Sequence, residues 1–203
     1  MLLRSLAIPD AVELTPEQYP DDRGVFLEQY RSDRLAEYLG YTPMVAQVNV
    51  SVSARGVVRG IHYADIPPGQ SKYVTVASGR ILDYVIDLRV GSPTFGEWEA
   101  VPLDDELRRA VFLAEGLGHA FVALSEQATV SYLVSDIFRP EREHGISPLD
   151  PEIDLSFPED AGELVLSPKD RAAPTLTHAL AAGSLPTWEQ AQERYAALRE
   201  GAP

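Results

Sequence analysis

A chain of 203 residues, 45% hydrophobic and 24% charged, is long enough for one domain with a sizeable core and has the composition of a globular protein. Its formal net charge of −14 excludes a general nucleic-acid surface, which needs a basic stripe, but not a small anionic ligand held by a few arginines in one cleft. There is no cysteine, so disulfide and thiolate chemistry are excluded. With no secretory-type leader and no apolar run of about 20 residues, the expectation is a cytoplasmic protein that spans no membrane.

After a brief apolar start, strand signals dominate from about residue 24 to 138. An early exception is SDRLAEYLGY, which predicts a short helix with Ser32 as N-cap, Leu35 and Leu39 one turn apart, and Gly40 as the stop. The stretch MVAQVNVSVS then alternates strictly. Met44, Ala46, Val48, Val50 and Val52 share one face, and Gln47, Asn49, Ser51 and Ser53 the other. Taken alone, this describes a half-buried strand with its polar side in solvent; the alternative is a barrel strand whose polar side faces a ligand.

GVVRGIHYADIPPGQSKYVTV follows, with Arg59, His62 and Lys72 embedded among its apolar residues and a Pro-Pro-Gly turn splitting it. KYVTVASGRILDYVIDLRV reads as a hairpin turning at Ser78 and Gly79. GSPTFGEWEAVPL predicts a loop and a strand, and residues 109–136 three short strands broken at Glu115-Gly116 and Ser125-Glu126-Gln127. Residues 139–186 carry proline, glycine and acids and predict loop with a few short elements. A helix over about 186–200 opens with Thr187 and Gln190 at capping-box spacing, and Trp188, Ala191, Tyr195 and Leu198 recur at helical intervals. The sum is a single domain over 1–203, mainly β, a sandwich or barrel with a few peripheral helices including the C-terminal one.

The chemistry these residues allow is narrow. The four histidines, His62, His119, His144 and His178, form no His-x-His pair, and a metal site wants three or more ligands, so none is expected. There is no G-x-S-x-G elbow. General acid–base chemistry fits better, with His62, His119, Tyr132, Lys72 and Asp170 as the available groups. Each also has an ordinary reading: a satisfied histidine, a packing aromatic, a solvated lysine at a strand start, a loop acid.

Taken together, DDRGVFLE (21–28), QVNVSVSARGVVRGIHY (47–63), SKYVTVASGRILDYVIDLRVGSPTFGEW (71–98), AEGLGHAFVALSE (114–126), YLVSDIFRPEREHGI (132–146) and LSPKDRAAPTL (166–176) resemble the dTDP-4-dehydrorhamnose 3,5-epimerase family, in family order and spacing. The resemblance spans a core of about 21–176. It implies a cupin-type jelly roll without the cupin metal, no cofactor, and a homodimer in which an N-terminal strand of one subunit lines the other's pocket. It implies a dTDP-4-keto-6-deoxyhexose as substrate, whose C-4 ketone acidifies the hydrogens at C-3 and C-5.

By the same resemblance His62 is the base, Asp170 its paired acid, Tyr132 the proton donor on the opposite face, and Lys72 the group beside the C-4 oxygen. Arg59 matches a diphosphate ligand. Arg23, Phe26, Glu28, Gln47, Asn49, Ser51, His119 and Lys169 match substrate contacts, and Phe138 stands where relatives carry a tyrosine against the thymine. The implied reaction is epimerisation at C-3, C-5 or both. The alternatives are a 3-only or 5-only enzyme of an antibiotic-sugar pathway, a 3,4-ketoisomerase, or a non-catalytic sugar-nucleotide-binding cupin. One detail is read from parity. Arg59 and His62 point to opposite faces of a regular strand, so sharing a pocket requires a deviation near Gly60.

Overall fold

The computed structural model describes residues 1–201. In chain order the strands are β1 (Leu2–Ser5), β2 (Ala11–Thr15), β3 (Gln18–Asp21), β4 (Gly24–Leu27), β5 (Gln47–Ala54), β6 (Val57–Ala64), β7 (Lys72–Ser78), β8 (Arg80–Asp87), β9 (Trp98–Asp104), β10 (Ala110–Leu113), β11 (Leu117–Ala123), β12 (Gln127–Val134), β13 (Glu143–Gly145) and β14 (Val165–Leu166). The helices are α1 (Ser32–Leu39), α2 (Pro168–Arg171), α3 (Leu176–Ala181) and α4 (Trp188–Glu200). One sheet runs β1-β2-β10-β7-β12-β5; the second runs β13-β6-β11-β8-β9, with β14 beside β6. Their facing sides form the jelly-roll barrel, and β3 and β4 make a separate two-stranded ribbon. Among the described residues no helix is long and apolar enough to cross a membrane.

The strands after residue 97 fall where the turn signals put them, but three expectations need correction. First, β7 and β8 do not form a hairpin. β7 pairs with β10 and β12, β8 with β9 and β11, and the chain crosses from one sheet to the other at Gly79. Gly79 has φ +85°, and a Cβ there would lie 2.3 Å from the Gln127 carbonyl oxygen, so the corner needs glycine as much as a tight turn would. Second, Ser32 is the first helical residue of α1; the cap position is Arg31, which makes no side-chain cap bond. Gly40 does end the helix, in the left-handed conformation with its N–H on the Ala36 carbonyl. Third, regular structure begins at residue 2. Strand β2 lies between β1 and β10, and its buried Glu13 is paired with Arg4 at 2.6 Å, a charge that interrupts the apolar run.

Helix α4 carries the expected capping box, with Thr187 and Gln190 satisfying each other's backbone N–H groups. It buries Ala191 and Tyr195 against Leu35, Leu39 and Tyr41, so both outer helices share one apolar cluster with β2 and β10. Arg89, fully buried, ties this layer to the barrel. Its guanidinium bonds Asp87 at 2.8 Å and Asp10 at 2.7 Å and lies 4.5 Å from the centre of the Trp188 ring. A buried arginine with both carboxylates and an aromatic face in place is fully compensated.

Strand β5 reverses the usual arrangement. Its valines face outward, with Val48, Val50 and Val52 56%, 65% and 55% exposed on an edge strand, while Gln47 and Ser51 turn into the barrel.

Candidate active site

The barrel encloses an open cavity of about 300 Å³. Strand β5 supplies Gln47, Asn49 and Ser51; β6 supplies Arg59 and His62; β7 supplies Lys72. His119 comes from β11, Tyr132 from β12, and Phe138 from the loop after it. A one-residue bulge brings the β6 pair together. His62 is registered opposite His119, and Arg59 opposite Phe121, so three steps on β6 match two on β11. Gly60 sits in the bulge with φ +117°, and a Cβ there would lie 2.4 Å from the His119 carbonyl oxygen and 2.7 Å from Ala120. The deviation required by parity is therefore present, and it is built on glycine.

His62 Nε2 lies 2.7 Å from Asp170 Oδ1. Asp170 is 5% exposed in the first turn of α2, where Ser167 Oγ accepts from its backbone N–H and donates to its Oδ2 at 2.8 Å. Burial works against the Asp170 charge, but the His62 and Ser167 hydrogen bonds outweigh it and hold the carboxyl below its ordinary range. An ionised acceptor on Nε2 assigns the proton there and leaves Nδ1 as the basic atom.

Tyr132 Oη lies 3.0 Å from Ser51 Oγ, and its ring stands edge-on to His119 with centroids 6.0 Å apart. Burial pushes the phenol up, so it stays a neutral donor across physiological pH. Lys72 is half-buried and, among the described residues, makes no side-chain hydrogen bond or ion pair. Burial holds its ammonium below the ordinary lysine range, and the charges of Glu143 and Asp83 offset only part of that. Arg59 bonds only the Ser53 hydroxyl, at 3.1 Å, leaving most of its guanidinium for an anion. Gln47 spans the rim, donating to Asn49 Oδ1 at 2.5 Å and accepting from the Phe138 N–H at 3.1 Å. The Phe138 ring is 56% exposed at the mouth.

Some expected residues lie elsewhere. Arg23, Phe26 and Glu28 belong to the β3–β4 ribbon or its end and do not line the cavity of their own chain. Arg23 pairs with Asp21, Glu28 with Arg31, and Phe26 is 68% exposed. Lys169 is exposed on α2, and Asp170 acts from behind His62. Other cavity residues were not anticipated. Phe121 and Val134 follow His119 and Tyr132 by two residues, so strand parity could have found them. Gln70 and Glu143 sit in segments without periodicity, and only the β13–β6 pairing brings Glu143 in. Among the described residues no group of three or more metal-ligand side chains is placed to hold an ion.

A hydrogen-bonded base, a protonated phenol and an ammonium facing one cavity, with a free arginine beside them, can remove a proton next to a carbonyl, stabilise the enolate and return a proton. Comparison with known proteins points to the same chemistry. The family description of dTDP-4-dehydrorhamnose 3,5-epimerase matches residues 5–178. The dTDP-4-dehydrorhamnose 3,5-epimerase of Mycolicibacterium smegmatis is 48% identical over 199 residues, 98% of each chain. Among solved structures, NovW, a 4-keto-6-deoxy sugar epimerase from the novobiocin biosynthetic gene cluster of Streptomyces spheroides, superposes with a TM-score of 0.92 at 54% identity, over 95% of this chain and 96% of that one. ChmJ, a 3'-monoepimerase from Streptomyces bikiniensis solved with dTDP-quinovose, gives 0.93 at 47% identity, over 96% and 98%. The chain belongs to the dTDP-4-dehydrorhamnose 3,5-epimerase family.

Proposed function

We propose that this protein epimerises a dTDP-4-keto-6-deoxyhexose, inverting C-3 and, where the bound sugar also presents its C-5 hydrogen to the base, C-5. The observation that carries the reading is the His62–Asp170 pair at 2.7 Å in a cavity that also holds Tyr132 and Lys72. C-3 comes first because relatives named as 3-epimerases and as 3,5-epimerases resemble this chain at comparable identity, and both invert that carbon by name.

In this scheme His62 Nδ1 takes the proton next to the ketone, and Asp170 stabilises the imidazolium that forms. Lys72 donates to the C-4 oxygen as it gains charge. Tyr132, fixed by Ser51, returns a proton to the opposite face, which inversion requires. Arg59 holds the diphosphate, His119 the sugar, and Gln47, Asn49 and Phe138 the nucleoside side of the cavity. The C-4 ketone itself supplies the acidity, so the scheme needs no cofactor, and a nucleotide-sugar substrate fits the cytoplasmic location expected from the cysteine-free sequence. Product analysis tests the reading. After reaction and borodeuteride reduction, the C-3 epimer should appear with deuterium at C-4, where the carbonyl stood; deuterium at C-3 would identify a ketoisomerase, and unchanged sugar would sink the proposal.

The active unit we infer is a homodimer with exchanged N-terminal strands. The exposed valines of β5 give an apolar face on an edge strand, and Phe26 is exposed on the separate β3–β4 ribbon; a second copy would cover both. Exchange would carry Arg23, Phe26 and Glu28 into the partner's cavity, while Lys169 on α2 would serve its own chain's cavity beside Asp170. Val50→Asp, at a side chain 65% exposed in the single chain, should leave the fold intact. It is expected to shift the protein to monomer in sedimentation and to raise KM; an undisturbed dimer would place the interface elsewhere.

A further inference from the structure

Asp83 has no part in the scheme above and is not on the cavity surface, yet it is a fully buried carboxylate hydrogen-bonded to His119, which is. On β8 its cross-strand partner is Phe121, which lines the cavity and is itself registered with Arg59, so Asp83 projects towards the same side of the sheet. Its Oδ2 lies 2.6 Å from His119 Nε2, and its Oδ1 has no hydrogen-bond partner. A buried carboxylate oxygen left without a donor is costly and calls for a compensating charge. Lys72, reaching the same cavity from the opposite sheet, is a cation without a hydrogen-bonded carboxylate. It is also one of only two lysines in the chain, the other being the exposed Lys169.

We propose that Asp83 is a positioning residue of the epimerase site: its Oδ2 fixes His119 with Nδ1 as the free ring atom, and its unpaired charge keeps Lys72 an ammonium. The inference deepens the proposed function and rests on it for its catalytic meaning. An enolate oxygen is best stabilised by a protonated amine, and a half-buried lysine loses its proton more readily unless opposite charges lie close. Around Lys72 those charges are Asp83 on β8 and Glu143 on β13. His62 and Arg59 on β6, His119 on β11 and Tyr132 on β12 are the other polar groups facing it. Two of these are basic imidazoles and one is a permanent cation, so the two carboxylates carry the compensation. Burial raises the Asp83 pKa, and both His119 and Lys72 act to keep it ionised, as mutual support requires.

The test needs no substrate. Reductive methylation with 13C-formaldehyde gives two lysine resonances, and their pH titration in the full-length protein reads Lys72 against Lys169. In Asp83→Asn, which keeps the shape and an acceptor, Lys72 is expected to titrate about one pH unit lower than in the wild type. Lys169 should be unchanged, and Asp83→Glu should stay near the wild type. The alkaline limb of kcat should move to lower pH in the amide variant, and KM should rise as well, because His119, which holds the sugar in the scheme, loses the carboxylate that orients it. Folding is followed by thermal melting, and Asp83→Ser gives a second uncharged reading should the amide variant not fold. An unchanged Lys72 titration in a folded uncharged variant overturns the proposal. So does loss of fold in both uncharged variants with Asp83→Glu intact, which would assign the carboxylate to the fold alone. Wild-type protein that fails to epimerise while Lys72 responds to Asp83 would instead overturn the proposed function and leave the charge coupling standing.

Discussion

Replacing His62 by alanine is expected to slow solvent-deuterium incorporation beside the C-4 ketone by about 10²- to 10⁴-fold, the usual cost of removing a general base. The expectation is large because the scheme gives the proton-accepting role to His62 alone, while Tyr132 is held protonated by burial. Arg59 and Lys72 are cations and cannot accept a proton in their charged forms. Asp170→Asn should fall between the wild type and His62→Ala. The imidazole survives there, but an amide that presents its NH₂ to Nε2 favours the wrong tautomer, and nothing stabilises the imidazolium. Exchange at the wild-type rate in folded His62→Ala would remove His62 from the role of base.

Gly60→Ala is expected to destabilise the fold by about 2–6 kcal/mol. Backbone strain at positive φ contributes about 1–3 kcal/mol, and overpacking contributes a further 1–3 or so. The φ is +117°, and the obstacles are backbone atoms of His119 and Ala120, which cannot swing aside as a flexible side chain would. Gly183 is the control. It has φ +67° but open space around it, so an alanine there should cost only the strain, about 1–2 kcal/mol. Denaturant unfolding of the two variants measures the difference. The comparison bears on function as well, since the Gly60 bulge is what lets Arg59 and His62 face the same cavity. Folded Gly60→Ala should therefore bind dTDP more weakly. Equal costs at the two positions would show that the contact between β6 and β11 is looser than the geometry implies.

How far the sequence could be read varies from strand to strand. The alternation over residues 44–53 identified the two faces of β5, but periodicity carries no sign. The valines, which composition alone would bury, point outward, and the polar residues point in. Only the motifs that resemble an epimerase family supplied a reason for a polar interior. The Gly60 bulge was legible from parity, because two functional side chains three residues apart had to share a cavity. The error at Gly79 has a physical origin: a glycine at positive φ serves a hairpin and a crossover between sheets alike, and the partners of β7 and β8 are 30 or more residues away for most of their pairings. Strand β2 was hidden by Glu13, whose partner Arg4 makes its burial tolerable. Asp83 left a faint trace, a lone carboxylate in the apolar run RILDYVID, where a buried acid needs compensation. Glu143 left none, because its place depends on a three-residue strand added to the edge of a sheet.

The central claim is that His62 removes a proton from carbon next to a ketone and that the site returns one. Incubating the protein with dTDP-4-keto-6-deoxyglucose in deuterium oxide and following the sugar by proton NMR tests it most directly. The C-3 proton signal is expected to disappear as deuterium enters during turnover, and the C-5 signal reports whether the second carbon is also worked. Well-folded protein that leaves both signals at full intensity would contradict it.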